Sequence, residues 1–286
     1  MTGGAAQPGP RRALVLGNSH IAAVKGAHER EAALWPGRWS GLAPEFAGGH
    51  GDALAMLEVR EGRLLARTEA ARQNLQRLNR HAEWALAEYD AFIVVGCQLG
   101  IYRALMPYRS ARFLGLPSMA EGGAAERGAP RRGAPRVPVS RAMFDLAVRE
   151  GVRQTLGGAL ALRLVAGLRA AGLGAQVIVA EQPRPSFDCR RERRRFAGLL
   201  QAHRLGDGAV LTEVFEAAAA AALPGITFLA QPVQTRHGGM FTRPRFSAGS
   251  VRLTASRRIT HPEDDFIHAN ADYGALVLDQ VAAALA

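Results

Sequence analysis

The chain has 286 residues, and 48% of them are hydrophobic, which is ample for a buried core. No uninterrupted apolar run reaches the roughly 18 residues that a membrane-spanning helix needs, which argues against a membrane protein. The formal net charge of +11 suggests nucleic-acid binding. Lys25 is the only lysine, however, and the other 35 of the 36 basic residues are arginines in a chain rich in Ala and Gly. A preference for Arg, Ala and Gly can reflect the base composition of a genome as well as selection for a binding surface. We therefore do not expect nucleic acid to be the main partner.

Cysteine content and the first residues bear on the cellular compartment. Cys97 and Cys189 are too few for a disulfide framework and lack the spacing of a metal site, which favours a reducing compartment. Residues 1–10 are rich in Gly, Ala and Pro, without the apolar run of a secretory signal. We therefore expect a cytoplasmic protein.

The order of apolar segments predicts an α/β protein. Short runs rich in Val, Ile and Phe alternate with longer runs rich in Ala and Leu, as expected of helices packed on a mainly parallel sheet. Strands are predicted over residues 13–16, 44–47, 90–95, 176–180 and 226–230. Helices are predicted from Ile21 onwards and over residues 69–88, 142–171, 190–204, 209–222 and 270–286.

Two further segments complete the predicted layout. Residues 54–66 are typical of a small hairpin that turns at Glu61 and Gly62. Residues 103–140 are rich in Gly, Pro and Arg without a sustained period, which predicts a long loop or lid. We expect a single domain over residues 1–286, with 103–140 as an insertion in it.

Ligands of parallel α/β sheets bind beyond the carboxyl ends of the strands, so the residues directly after each apolar run are the most informative. A loop that leads into the last helix also carries polar groups. The segments that stand out are Gly17-Asn18-Ser19-His20, Gly48 to Asp52, Gly96-Cys97-Gln98 and Asp264 to His268.

Serine chemistry fits this set of residues. A serine hydroxyl becomes a nucleophile when a positioned base removes its proton, and that base needs a carboxylate to hold its tautomer. Asp265 and His268, three residues apart before a helix, can supply both groups to Ser19. Ser19 at a strand-to-helix turn also gains from the unpaired backbone N–H groups of the helix start.

These motifs resemble the SGNH (GDSL-like) hydrolases, a family of esterases, lipases and acyltransferases. Gly17-Asn18-Ser19-His20 is similar to the N-terminal Gly-Asp-Ser block of the family, Gly51 to its oxyanion glycine, and Asp265-x-x-His268 to its last block. The resemblance extends from residue 13 to about 280. It implies a three-layer α/β/α sandwich with a flavodoxin-like, five-stranded parallel sheet.

The chain departs from the family pattern at two positions. Asn18 stands where the family has Asp, which we expect to affect hydrogen bonds of the turn rather than the chemistry. Gly96-Cys97-Gln98-Leu99 replaces the usual Gly-x-Asn-Asp. Gln98 carries the same amide on one more methylene, so the predicted oxyanion hole comprises the backbone N–H groups of Ser19 and Gly51 and the side chain of Gln98.

Several of these residues also have a purely structural interpretation. Ser19 could be a helix N-cap, and His268 a residue at a helix start where acids stabilise the helix dipole. Cys97 is more typical of a small buried hydrophobe than of a nucleophile. No role is assigned to His20. A metal site made by His20, His50, His261 or His268 has no recognisable ligand spacing, and the run 190–195 is typical of a solvated helical face.

The sequence thus predicts an ester hydrolase that needs neither metal nor cofactor. Gly-x-Ser-x-Gly, Gly-x-x-x-x-Gly-Lys and Gly-x-Gly-x-x-Gly motifs are absent, which argues against other common enzymes of this architecture. The family resemblance implies a carbohydrate O-acyl group or a small ester as substrate. A catalytically weakened glycan- or ligand-binding protein, an O-acyltransferase and an arginine-rich nucleic-acid binder stay open as alternatives, and the oligomeric state is not determined.

Overall fold

A computed structural model describes residues 9–35, 37–120, 136–254 and 259–286. The strands are, in chain order, β1 (Arg11–Gly17), β2 (Leu42–Gly48), β3 (Leu57–Arg60), β4 (Arg63–Ala66), β5 (Glu83–Ala85), β6 (Ala91–Val95), β7 (Ala111–Phe113), β8 (Val137–Val139), β9 (Gln176–Ala180), β10 (Thr227–Leu229), β11 (Arg236–His237) and β12 (Phe241–Thr242). The α-helices are α1 (Ile21–Leu34), α2 (Gly51–Ala55), α3 (Glu69–Leu78), α4 (Tyr102–Tyr108), α5 (Arg141–Arg153), α6 (Leu156–Ala170), α7 (Ala197–Arg204), α8 (Gly208–Ala222) and α9 (Ala271–Leu285). Within these ranges, no helix combines the length and the apolar character needed to cross a bilayer.

Five parallel strands form the central sheet, in the order β10-β9-β6-β1-β2. The predicted α/β class and the five-stranded parallel sheet are confirmed, and each predicted strand agrees with an observed one within a few residues. The connection from β1 leads to one side of the sheet, and the chain then returns to place β6 on the other side of β1. The carboxyl ends of β1 and β6 therefore flank a topological switch point, where this class of sheet binds its ligands.

Alternation along β1 divides the core into two layers. Leu14 and Leu16 join the apolar cluster under α2 to α8, whereas Ala13 and Val15 join the cluster under α1 and α9. Since side chains of a strand point alternately to the two faces, each face of the sheet is covered by its own set of helices. The central strand β6 is buried along its whole length, as expected of a strand covered on both faces.

The hairpin predicted over residues 54–66 is confirmed as β3 and β4, but the helix predicted over 69–88 is wrong in its second half. Helix α3 ends at Leu78, because the side chain of Asn79 donates to the carbonyl of Gly48 at 2.7 Å and accepts from the N–H of Gly48 at 2.8 Å. The chain then forms β5, which adds Trp84 to the hairpin opposite Leu64. A tertiary contact to the end of β2 thus overrides the local helical pattern.

The single long helix predicted over residues 142–171 is also wrong, since the structure divides it into α5 and α6. Thr155 stands between them in an extended conformation, and its hydroxyl oxygen accepts from the N–H of Gly158 at 2.8 Å. This N-cap begins a new helix directly against the end of β6, where the N–H of Gly157 donates to the carbonyl of Cys97.

The loop predicted over residues 103–140 is wrong for the part that the structure describes. Helix α4 covers its first residues, and β7 pairs in parallel with β8 at its far end. Residues 121–135 of this segment lie outside the described residues. Pro107 inside α4 and the shortness of both strands explain why no sustained period is visible in the sequence.

Helices α1 and α9 approach each other closely at a glycine. A Cβ atom added at Gly274 would lie 2.1 Å from the carbonyl oxygen of Ala23, far inside van der Waals contact. The ion pairs Arg30–Asp272 and Arg38–Asp279 connect the same region of the fold at 2.6 and 2.8 Å. Gly274 therefore sets the spacing of the two helices that directly follow Ser19 and His268.

We expect Gly274→Ala to lower the free energy of unfolding by about 1–3 kcal/mol, because its methyl group forces α9 away from α1. Urea unfolding followed by circular dichroism measures the change. The matched control is Gly198→Ala in α7, where an added Cβ meets nothing within 4 Å. This control should leave stability unchanged or raise it by up to about 1 kcal/mol, and equal stability of the two variants would contradict the close-packing argument.

Candidate active site

The carboxyl ends of three neighbouring strands define the candidate site. Gly17 at the end of β1 lies opposite Gly48 of β2 and Val95 of β6, so the three following turns leave the sheet side by side. The N–H of Gly49 donates to the carbonyl of Gly17 at 3.0 Å and joins the first two turns. The segments predicted to carry the chemistry thus emerge at one edge of the sheet.

Ser19, His268 and Asp265 form a continuous hydrogen-bonded chain. The Ser19 Oγ lies 2.8 Å from Nε2 of His268, and Nδ1 of His268 lies 2.8 Å from Oδ2 of Asp265. With Nδ1 donating to the carboxylate, Nε2 is left as the acceptor for the serine hydroxyl. This is the order of contacts in which an imidazole can take a proton from a hydroxyl group.

Ser19 is not a helix cap, which removes the simplest structural alternative. Helix α1 begins at Ile21, with His20 at the N-cap position and no side-chain capping bond. Asn18 holds the turn instead, because its Oδ1 accepts from the N–H groups of His20 at 3.3 Å and Cys97 at 3.4 Å. As predicted, the amide at position 18 serves the hydrogen bonding of the turn.

His268 likewise does not begin the following helix. Asn270 is the N-cap of α9, and its Oδ1 accepts from the N–H groups of Asp272 and Tyr273. Its Nδ2 donates to the carbonyls of Arg245 and Ala248 at 2.7 and 2.9 Å. One asparagine therefore fixes both the start of α9 and the end of the loop that carries the imidazole.

A buried ion pair anchors the other side of this closing loop. Arg184, which is fully buried, contacts Glu181 at 2.8 Å and Glu216 at 2.7 Å. Two residues further on, the N–H of Ser186 donates to the carbonyl of Phe266 at 2.7 Å. The loop between Asp265 and His268 is thus attached to a rigid, charge-paired part of the fold.

Asp265 accepts hydrogen bonds on both carboxylate oxygens. Its Oδ1 accepts from the N–H groups of Ile267 and His268 at 3.0 and 3.1 Å, and its Oδ2 contacts two imidazoles. Burial, the largest single effect, opposes ionisation. The hydrogen bond from His268 and the other donors outweigh it and hold the pKa of Asp265 below its usual value. The carboxylate is therefore ionised and oriented at neutral pH.

Three imidazoles stack at the site. The ring of His261 lies 3.9 Å from that of His268 with an angle of 9° between the planes, and His20 stacks on His268 at 4.8 Å. Burial, with a further contribution from the nearby His268, lowers the pKa of His20 to about 3, so His20 is neutral. The sequence pattern indicates a catalytic role for neither His20 nor His261. The one available signal for His261 was its position four residues before Asp265.

The turn after β6 is conformationally strained. The φ values are 73° at Gly96, 52° at Cys97 and 64° at Gln98. Residues other than glycine rarely adopt positive φ values. The side chain of Gln182 accepts from the N–H of Gln98 at 2.9 Å and helps to hold this conformation. Strain of this kind persists only where the surroundings enforce it, and it is concentrated at functional sites.

Gly51 and Gln98, two of the predicted oxyanion residues, line one cleft of about 300 Å³. Gln98 is exposed, and Gly51 begins helix α2. The cleft lies between α2, the strained turn and the start of α6. Its other lining residues are Asp52, Ala55, Gln154, Thr155, Leu156, Ala159, Leu160 and Arg163.

His261, Asp265 and His268 also hold their potential metal-ligand atoms within 4.8 Å of one another. Both imidazole Nδ1 atoms, however, lie at hydrogen-bonding distance from one carboxylate oxygen, 2.8 Å in each case. This arrangement fits two imidazole N–H donors that share Oδ2 of Asp265 as their acceptor. That the site needs no metal stays a prediction.

Comparisons with known proteins give one structural similarity. No protein-family model matches the chain. No curated protein matches it either. The crystal structure of an extracellular lipase from Streptomyces rimosus is similar over 95% of this chain and 99% of that one, at 16% sequence identity and a TM-score of 0.38. Neither a family nor an activity follows from a similarity at this level.

Both cysteines should be unreactive in the folded protein. Cys97 and Cys189 are buried, and burial raises the pKa of each thiol to about 12. We expect no alkylation of either residue by iodoacetamide at pH 8 in the native state and full alkylation in urea, with mass spectrometry of tryptic peptides as the measurement. Rapid labelling of native Cys97 would contradict its role as a packed side chain.

Proposed function

We propose that the protein is a serine hydrolase of acyl esters, similar to the SGNH hydrolases, with Ser19 as nucleophile, His268 as general base and Asp265 as the residue that orients the base. The observation that carries this proposal is the pair of 2.8 Å contacts that connects Ser19 Oγ through His268 to Asp265. Each contact has the length of a hydrogen bond, and the order of the three groups matches their proposed roles.

Catalysis begins with acylation of the serine. Nε2 of His268 takes the proton of Ser19 as Oγ attacks the ester carbonyl, and the carbonyl oxygen gains a negative charge. The resulting imidazolium is stabilised by the ionised Asp265. It then gives its proton to the departing alcohol, and an acyl-serine is left. In the second half, His268 activates a water molecule that attacks this ester, releases the acid and restores the serine hydroxyl.

The oxyanion is the second requirement of this chemistry. We assign its stabilisation to the backbone N–H groups of Ser19 and Gly51 and to the side-chain amide of Gln98. Two features support this assignment: Gly51 and Gln98 line the same cleft, and Gln98 is exposed on a strained turn next to Ser19's strand. A donor held in place before the reaction stabilises the developing charge without reorganisation.

We infer a carbohydrate O-acyl ester as the substrate class from the polar lining of the cleft that Gly51 and Gln98 share, although Ser19 is not among the residues that line it. Several of its side chains can hydrogen-bond to hydroxyl groups. The polar lining residues are Asp52, Gln98, Gln154, Thr155 and Arg163. A short acyl group on a sugar hydroxyl fits this lining better than a lipid does.

We expect Ser19→Ala to lower kcat/KM for p-nitrophenyl acetate about 10⁴- to 10⁶-fold, because the attacking oxygen is removed. The variant should also lose labelling by a fluorophosphonate probe, and peptide mapping of the wild type should place the label on Ser19. Ser110→Ala, which changes an exposed serine of another segment, is the matched control and should keep full activity. A wild type that neither hydrolyses the ester nor takes the label would leave a ligand-binding protein as the better reading.

Replacement of Gln98 tests the oxyanion hole separately. We expect Gln98→Ala to lower kcat about 10²- to 10³-fold with little change in KM, because the lost donor acts on charge that develops in the transition state. Gln73→Ala in helix α3 is the control for loss of an exposed glutamine and should not alter either constant. A rise in KM with unchanged kcat would instead assign Gln98 to substrate binding.

A further inference from the structure

We propose that His261 is a positioning residue for the reaction, because its imidazole shares the carboxylate of Asp265 with His268 and packs flat against the His268 ring. This inference rests on the proposed function, in which His268 is the general base. The pattern Ser19, Asp265, His268 contains one histidine and requires no second one, so His261 is an addition to it.

The first observation is the shared carboxylate oxygen. Nδ1 of His261 and Nδ1 of His268 each lie 2.8 Å from Oδ2 of Asp265. The other oxygen, Oδ1, is occupied by the backbone N–H groups of Ile267 and His268. Rotation of the carboxylate would break bonds on both oxygens, so the donor from His261 fixes the plane of the group that orients the base.

The second observation is the parallel stack. The ring of His261 stacks on that of His268 with 3.9 Å between the centroids, and the ring of His20 stacks on the same imidazole at 4.8 Å. A ring stacked against two others cannot turn away from Ser19 without losing or displacing these contacts. Stacking and the shared carboxylate therefore restrict the same motion.

His261 is itself held by a different part of the chain. The backbone N–H of His261 donates to the carbonyl of Ser250 at 2.8 Å. Beside it, Val251 and Thr260 form an antiparallel β-bridge. The imidazole is nearly buried, with 9% of the side chain exposed. Its location is thus set by backbone contacts outside the segment 262–268, as expected of a fixed support.

The charge state of His261 is compatible with this role. Burial, followed by the nearby His268, lowers the pKa of His261 below its usual value. The charged or titratable groups around the two stacked rings are His20, Asp265 and Arg252. Neutral His261 donates from Nδ1 and leaves Nε2 without a hydrogen-bond partner in the described structure, buried where a positive charge would be unfavourable.

The hydrogen bond from His261 also sets how strongly Asp265 attracts a proton on His268. A carboxylate that accepts one more N–H has less negative charge available for the imidazolium. Loss of the His261 donor therefore strengthens that attraction, and His268 should bind a proton at higher pH. In a profile of kcat/KM against pH, the acidic limb, which reports protonation of the essential base, should then move to higher pH.

A pair of amide substitutions separates this role from simple packing. In His261→Asn the side-chain amide can occupy the place of Nδ1 and donate to Asp265, whereas in His261→Gln the same amide is carried one methylene farther, near the place of Nε2. We expect His261→Gln to lower kcat for p-nitrophenyl acetate roughly ten- to hundredfold and to move the acidic limb up by about one pH unit. His261→Asn should restore most of kcat and the wild-type limb. His81→Gln, at an exposed position, is the control for loss of a histidine.

A second measurement keeps the test independent of esterase activity. NMR titration of ¹⁵N-histidine-labelled protein follows the His268 ring directly, and its midpoint should rise in His261→Gln but not in His261→Asn. Equal effects of the two substitutions, or unchanged midpoint and kcat in His261→Gln, would overturn the proposal. A wild type without hydrolytic activity would refute the proposed function, and the NMR midpoints would then decide the positioning claim alone. Circular dichroism confirms that each variant is folded.

Discussion

A hydrogen bond between residues 249 positions apart is the contact on which the candidate site depends. Ser19 Oγ and His268 Nε2 meet at 2.8 Å, although Ser19 lies on a turn and His268 on a loop, both outside the helices and strands. The fold makes this possible because β1 lies inside the sheet, so its following turn is surrounded by other chain segments. Asn18 ties that turn to the turn after β6, and Asn270 ties the closing loop to residues 245–248. Asn18 thus fixes the turn that carries Ser19, and Asn270 fixes the loop that carries His268. None of these asparagine hydrogen bonds involves the side chain of Ser19 or His268.

Unfavourable local features collect at the same edge of the sheet. Cys97 and Gln98 have positive φ values, His20 keeps a buried Nδ1 without a hydrogen-bond partner in the described structure, and Asp265 is ionised in a largely buried place. Each feature costs stability, and the well-packed core on both faces of the sheet has to offset that cost. The concentration of such costs in one place is what a preorganised reactive site requires, since groups that are fixed in advance need not reorganise during the reaction.

The sequence predicted the sheet well and the details around it less well. Continuous apolar runs such as Ala91–Val95 indicate buried strands whatever surrounds them, so the central strands and their class could be predicted. The end of α3 at Leu78 and the break at Thr155 depend on contacts to distant strand ends, which no local period reveals. For the site, chain order and spacing were enough to select Ser19, Asp265 and His268, which the structure places in contact, whereas their roles stay predictions. His261 was considered only as a metal ligand, because its four-residue spacing from Asp265 does not reveal that it shares a carboxylate oxygen with His268.

The close approach at Gly274 has a consequence for the contact between Ser19 and His268. Gly274 follows His268 by six residues and touches Ala23, which follows Ser19 by four, so Ser19 and His268 each lie just before one of two helices that are packed nearly backbone to backbone. Because the two backbones are in contact, one helix cannot move towards the other, and this packing supports the distance between Ser19 Oγ and His268 Nε2. The contact between Ser19 and His268 therefore depends on α1 and α9 staying packed together, and a local opening that separates the two helices also separates the two side chains.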